Sequence, residues 1–266
     1  KKEMELKLVV FHLNHKFRSE ANEEAKFVEK MSDEYNVKSI IEEFNVPEYI
    51  KKNGLSPEEG AREVRFSLFT EWAHKLKIRK IVLGHNKDDL VETVFFNMTR
   101  GTALKGLTGI EPMVTYKDLF LIHPLLNFYR KEIEDYCHNK GLKPRFDSSN
   151  ETDIYTRNII RHQLIPLIEK RINPGVKEVV ARMVDQLRQD EYFLTELAHK
   201  GYDNAVKNES EKQIELLLKI LQECNQVIRN RIIKKAIKKM QGDLQDFYSV
   251  HYQAINNLIM DGKTGN

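Results

Sequence analysis

A strand that runs straight into an acidic helix, followed by a basic glycine loop, restricts this chain's fold more than any other feature. It occupies residues 83–109, LGHNKDDLVETVFFNMTRGTALKGLTG. The apolar run Ile81-Val82-Leu83 reads as the end of a buried strand. Gly84-His85-Asn86 then turns the backbone, and a helix starts near Asp88. Val91, Val94, Phe95 and Met98 follow i, i+3, i+4, i+7, so one stripe of that helix faces a core. At ~100° per residue, Asp88, Asp89 and Glu92 share one arc beside the stripe. Three carboxylates and the His85 imidazole thus gather where a strand ends and a helix begins. Open α/β sheets bind ligands at that place. The helix dipole alone also collects acids there. The loop that follows carries Arg100, Gly101, Lys105, Gly106 and Gly109. Acids followed by a basic glycine loop suit an ion or amine together with phosphates.

The preceding residues extend the pattern. Residues 6–13, LKLVVFHL, form a continuous apolar run of strand type. Ser19 then reads as the N-cap of a helix to about Tyr35, with Ala25, Val28 and Met31 inward. Residues 37–44 give a second strand. Ser56-Pro57-Glu58-Glu59 is a capping box with Pro at the first helical position. Its helix, to about Lys77, buries Ala61, Val64, Leu68 and Trp72 and carries Arg62 and Arg65. A third strand covers residues 80–83. Alternating strands and helices predict a parallel sheet covered on both faces.

After Gly109, Tyr116-Lys117-Asp118 reads as a hairpin turn within residues 113–121, before His123-Pro124-Leu125-Leu126. A helix over 129–140 ends at Gly141. The polar turn Asp147-Ser148-Ser149-Asn150 leads to Arg157-Asn158-Ile159-Ile160-Arg161, whose arginines share a helix face. From Gly175 the chain reads as helix throughout: a long helix to about His199, then 213–222, 227–240 and 249–260. Arg229, Arg231, Lys234, Lys235, Lys238 and Lys239 make one of these basic. A solubilising face would look the same. The change from alternation to pure helix predicts a domain boundary near residues 165–200.

Composition narrows the class. The chain has 266 residues, 41% hydrophobic and 31% charged, as in a soluble globular protein. No apolar run reaches the ~18 residues of a membrane helix. Cys137 and Cys224 stand far apart, which argues against a zinc site or thiol pair and fits a reducing cytosol. Net charge is only +3, so a nucleic-acid surface requires uneven charge distribution.

Together these residues resemble the tRNA(Ile)-lysidine synthetase family of the PP-loop ATP-pyrophosphatase superfamily. The resemblance is carried by His12-Leu-Asn-His15 with Arg18, Ala61-Arg62-Glu-Val-Arg65-Phe66, and Gly84-His85-Asn-Lys-Asp88-Asp89-Leu-Val-Glu92-Thr93. Arg100-Gly101 with Gly106-Leu107, His123-Pro124-Leu125-Leu126, and Asp147-Ser-Ser-Asn150 with Arg157-Asn158-Ile-Ile-Arg161 complete it. It is close from residue 6 to about 170 and looser beyond. The superfamily's Ser-Gly-Gly-x-Asp-Ser phosphate loop has no counterpart here. The expectation is that it lies upstream of Lys1, so its residues have no number in this sequence.

The resemblance implies a Rossmann-like α/β fold, mainly a parallel sheet with helices on both faces, followed by an all-α C-terminal domain. It implies a PP-loop ATPase-like catalytic domain over 1–170, a linker helix over 171–200 and a helical tRNA-binding domain over 201–266. The implied reaction adenylates C2 oxygen of the wobble cytidine with ATP, then attaches lysine. Its cofactors are ATP and Mg2+. Its partners are tRNA(Ile) with a CAU anticodon and free L-lysine, no membrane is involved, the setting is cytoplasmic, and a homodimer is allowed. By residue, Arg65, His85 and Asp89 are expected to be catalytic, and Asp89 and Glu92 to bind lysine. His12, Asn14, His15, Arg100 and Gly101 would bind nucleotide. Arg157, Arg161, Lys234, Lys235 and Lys238 would bind tRNA, and Asp88 is a candidate for magnesium. Two other readings stay open: a tRNA thiolase of the same superfamily, against which the lack of a cysteine pair argues, and a non-catalytic tRNA-binding module.

Overall fold

Two parallel strand pairs form the frame in the computed structural model, which describes residues 5–17, 21–145, 156–242 and 247–261. Arg18, Ser19 and the 147–150 turn lie outside the described residues. Contacts divide the chain into two units, 1–90 with 110–158 and 91–109 with 159–266.

In the first unit, β1 (Val9–Asn14) pairs in parallel with β2 (Lys38–Glu43), from Val9↔Lys38 to Asn14↔Glu43. The crossover helix α1 (Ala21–Glu34) packs on both strands through Ala21 and Ala25. Helix α2 (Val46–Asn53) stops at Gly54, whose φ of +66° suits a residue without a β-carbon. Helix α3 (Pro57–Lys75) starts with the expected Ser56–Glu59 capping box. It packs closely on α2 at Gly60, where any β-carbon would collide with Ile50. Leu13, Val46 and Val64 form the local core.

Strand β3 (Lys80–Val82) pairs in parallel with β5 (Leu119–Ile122), and β4 (Met113–Tyr116) runs antiparallel to β5 across the expected turn. The parallel pairings are as expected. The single, mainly parallel sheet is not: the strands form a two-stranded and a three-stranded sheet, and the latter is mixed. The reason is local. Among the described residues β3 pairs only with β5, and its Val82 is 61% exposed, so it is no buried central strand. Helix α6 (Arg130–Asn139) follows, and Gly141 takes a positive φ of 66° beyond it.

Helix α4 (Lys87–Thr99) crosses the division between Leu90 and Val91. In the second unit Val91 and Val94 are fully buried, and α5 (Leu104–Leu107) packs on the long helix α9 (Val176–Ala205). Those contacts, not the chain order, set the unit's limits. Helix α7 (Thr156–Ile159) passes into a π-helical turn, Ile160–Leu164, and then α8 (Ile165–Arg171).

The expectation of unbroken helix after Gly175 is corrected. β6 (Val206–Glu209) and β7 (Ile214–Leu216) form an antiparallel hairpin, so the helix expected from 213 begins later, as α10 (Leu218–Glu223). Ser210 Oγ accepts from the Gln213 amide at 3.1 Å and closes the turn. Val206, Ile214 and Leu216 pack on Tyr202, Ala205 and Ile233, which offsets the lost helical bonds. Helices α11 (Gln226–Gln241) and α12 (Ser249–Asp261) complete that core with Ile232 and Ile259. No helix among the described residues is long and apolar enough to cross a membrane.

Candidate active site at the strand ends

The parallel strands of the first unit deliver imidazoles at their carboxyl ends. His12 lies in β1, His15 just beyond it, and His85 in the turn after β3. The Leu83 amide donates to the Ile122 carbonyl at 2.9 Å, so the turn leaves the sheet directly after the last ladder bond. Helix α3 supplies Arg62 and Arg65 to the same region, because the two positions are three apart and share a face.

These groups are cationic or basic; the imidazoles are short of partners, while Arg62 lies over the Phe66 ring at 4.6 Å. His12 Nε2, His15 Nδ1 and His85 Nδ1 are buried with no hydrogen-bond partner among the described residues. Burial pushes the His15 pKa down to about 4, with Arg65 and His12 adding to the effect. Burial likewise lowers His12, against the nearby Glu24 carboxylate. Arg65 keeps solvent contact, yet partial burial and the neighbouring Arg62 hold its pKa below the usual value. Buried polar groups left unmade cost about 1–3 kcal/mol each. Such a cluster is a site that an entering anion would stabilise.

His85 faces a mixed environment. Burial lowers its pKa first; Asp89 raises it, and His123, Arg157 and Arg62 lower it further. The imidazole therefore stays neutral at pH 7, with a carboxylate nearby to offset a proton once taken up. Asp89 also caps α4. Its Oδ2 accepts from the Asn86 amide at 2.9 Å, while Asn86 Oδ1 accepts from the Asp89 amide at 3.1 Å. Asp88 serves a different element. Its Oδ2 accepts from the Arg130 amide at 2.8 Å, at the start of α6.

Of the expected nucleotide contacts, His12 and His15 come together with Arg65. Asn14 does not present its amide there. It is buried, donates from Nδ2 to Asn22 at 2.7 Å, and accepts from the Lys16 amide at 3.0 Å. It shapes the turn after β1. Arg100 and Gly101 belong to the second unit, where Arg100 lies over the Phe96 ring at 5.1 Å and Gly101 has a φ of +71°.

The second unit pairs charges that the sequence leaves as separate candidates. Glu92, expected to hold a lysine ammonium, instead accepts from Arg161 Nε at 2.6 Å and Nη2 at 2.8 Å. Its side chain is 3% exposed. Arg161, expected to reach phosphate, sits in the π-helical turn with two of its nitrogens on that carboxylate. On α11, Arg231 binds Glu191 through two bonds of 2.8 and 2.6 Å. Arg229 is buried and donates to the Leu221 carbonyl at 3.3 Å. Lys235 lies 3.6 Å from Asp203 and over the Tyr202 ring. Lys234 and Lys238 are exposed, one turn apart. The basic helix is thus divided between structural pairs and an open face. Arg157 acts in the first unit, on His85.

Two residues without an expected role belong to the first-unit cluster. Arg62 bears on both Arg65 and His85, and its signal in the sequence is the i, i+3 spacing to Arg65. His123 contacts His85, with ring centroids 4.9 Å apart. Its signal is a histidine directly after an apolar strand.

A parallel α/β frame with an electropositive site at its strand ends defines a nucleotide-binding class, and the family match is specific. The PP-loop domain family matches residues 1–168, and the chain belongs to it. It is 36% identical to the tRNA(Ile)-lysidine synthase of Clostridioides difficile (strain 630) over 265 residues, 99% of this chain and 56% of that protein. It is 34% identical to the tRNA(Ile)-lysidine synthase of Caldanaerobacter subterraneus subsp. tengcongensis over 255 residues, 96% of this chain and 54% of that protein. The chain spans about half the length of the curated relatives it matches. The U34-tRNA thiolase NcsA from Methanococcus maripaludis, solved with its 4Fe-4S cluster, shares the fold. Its TM-score is 0.55 at 20% identity, covering 68% of this chain and 62% of that one.

Proposed function

We propose that this chain carries the catalytic half of a tRNA(Ile)-lysidine synthase. The observation that supports it most is the group of unpartnered imidazoles with Arg62 and Arg65 at the strand ends, in a chain whose relatives bear that name. In the proposed reaction, C2 oxygen of the wobble cytidine of tRNA(Ile), within a CAU anticodon, attacks the α-phosphate of ATP, and pyrophosphate leaves. The ε-amine of free L-lysine then attacks C2, and AMP leaves with the oxygen.

The roles follow from chemistry at each residue. His12, His15 and the solvent-facing Arg65 receive the nucleotide's negative charge, which offsets the cost of holding the two imidazole nitrogens buried and unpartnered. Arg62 and Arg65 stabilise charge that develops on phosphate oxygens during both steps. A lysine ammonium has no lone pair, so it must lose a proton before it attacks. His85 takes that proton, and Asp89 stabilises the resulting imidazolium and attracts the ammonium. Glu92 acts through Arg161, which holds it, and so bears on the shape of α4. Lys234 and Lys238 offer the tRNA backbone an open basic face.

Magnesium would travel with the nucleotide, screening its phosphates. It binds with one or two carboxylates plus phosphates and waters. Among the described residues no group of three or more His, Cys, Asp or Glu gathers to hold a metal, and Asp88 already serves the α6 amide. The thiolase alternative is disfavoured by the cysteines, which number two and fall in different units, whereas a cluster needs several thiolates.

The test uses the full-length gene product with ATP, labelled lysine and a tRNA transcript with a CAU anticodon. One AMP and one pyrophosphate should appear for each lysine incorporated. His85→Ala should lose about 10²–10⁴-fold in lysine transfer. Transfer of sulfur in place of lysine, or tight tRNA binding with no ATP turnover, would contradict the reading.

A further inference from the structure

We propose that His123 is a positioning residue for His85, a wall that fixes the proton-accepting ring; this rests on the role given to His85 above. β3 and β5 are parallel neighbours, from Lys80↔Phe120 to Val82↔Ile122. Their continuations therefore emerge together, and they bring His85 and His123 side by side. The rings lie 4.9 Å apart between centroids and 58° from parallel.

The two rings are held very differently. His123 is buried and anchored on three sides. Its Nδ1 lies 2.7 Å from the Glu111 carbonyl oxygen. A carbonyl only accepts, so Nδ1 carries the hydrogen and the ring's orientation is set. The His123 amide donates to the Pro112 carbonyl at 2.9 Å, and its own carbonyl accepts from Leu126 at 3.4 Å. His85 has no such anchor at Nδ1, which is buried without a partner among the described residues. No bond at Nδ1 fixes its orientation, and His123 is the fixed surface packed beside it.

The other groups that face His85 come from three elements: Asp89 of α4, Arg62 of α3 and Arg157 of α7. Asp89 favours protonation, while the arginines and His123 oppose it, as does burial itself. Removing the His123 ring would admit water to one side of His85 and release its rotation. Both effects bear on proton transfer, and neither touches nucleotide binding.

The experiment records the ring NMR titration of His85 in the full-length protein and in His123→Ala and His123→Phe. It also measures single-turnover lysine transfer and ATP affinity. In His123→Ala the His85 midpoint should rise toward its ordinary value of about 6.5. Lysine transfer should fall on the order of tenfold to a hundredfold, with ATP affinity unchanged. Phenylalanine keeps the wall but not the Glu111 bond, so His123→Phe should recover most of the transfer and the low midpoint. An unchanged His85 midpoint in His123→Ala, or a His123→Phe no better than alanine, overturns the positioning role. Full lysine transfer by His85→Ala overturns the base itself and the positioning role with it, an outcome distinct from the first.

Discussion

The two units handle charge in opposite ways. At the strand ends of the first, His12, His15 and His85 each bury a ring nitrogen without a partner among the described residues, and Arg62 and Arg65 repel each other along α3. In the second, Glu92 and Arg161 satisfy each other, as do Glu191 and Arg231, and Lys235 and Lys239 flank the buried Tyr202 ring. Paired buried charges specify a structure. Buried ring nitrogens left without a partner destabilise it and are retained where a ligand completes them. The difference separates residues whose loss should unfold the protein from residues whose loss should only empty its site.

The largest effect should come from breaking a pair. Arg161→Ala removes two charge-assisted bonds from the buried Glu92 carboxylate, a cost of about 3–5 kcal/mol read by denaturant unfolding. The double replacement Glu92→Leu with Arg161→Met removes both charges and should recover most of that loss. If Arg161→Ala is neutral, the pair is not structural and the comparison fails on its second half.

The open face of α11 should show a smaller effect, on tRNA alone. Lys234→Gln and Lys238→Gln should each lower the slope of log affinity against log salt by about one unit, with stability unchanged. Lys235→Gln, already paired with Asp203, should change the slope less. Equal effects at all three positions would erase the division between paired and open lysines.

A finer effect concerns protons. His15 is held at about 4 in the folded chain, against about 6.5 unfolded. The unfolded chain therefore binds more protons between those values, so this residue's contribution to stability is lost as pH falls from 6.5 toward 4. Bound polyphosphate should raise the His15 pKa. Nucleotide binding near pH 5.5 should then take up protons, a fraction of one per site, seen by calorimetry in buffers of different ionisation enthalpy. Release of protons would contradict that sign.

Much of the first unit is legible in the sequence. The βα alternation, the Ser56 capping box and the turn at Lys117 all rest on local signals, and each is present. His85 is legible as a candidate from its place where a strand ends, whereas His12, His15 and Arg65 are candidates only through what the resemblance implies. Partnership is not legible. Glu92 meets a guanidinium 69 residues away and Glu191 one 40 residues away, and no periodicity reports such distances. The π-helical turn that aims Arg161 has no local signature either. The β6–β7 hairpin escapes a sequence reading because its strands span four and three residues, too short to outweigh the helical pattern on both sides. Asn14 is a nucleotide ligand only by what the resemblance implies, and only the fold brings Asn22 and the Lys16 amide to its side chain.

One measurement bears most directly on the claim that unpartnered basic groups at the strand ends are kept for an anion. Arg65→Gln removes the cation and keeps a polar side chain, and both ATP affinity and unfolding free energy are then determined on the same protein. Lost charge-assisted contacts of about 1.5–3 kcal/mol should weaken ATP binding by roughly ten- to a hundredfold. Stability should hold or rise, because the repulsion from Arg62 is relieved. A protein that binds ATP as before but unfolds more easily would contradict the account, since Arg65 would then belong to the fold and not to the site.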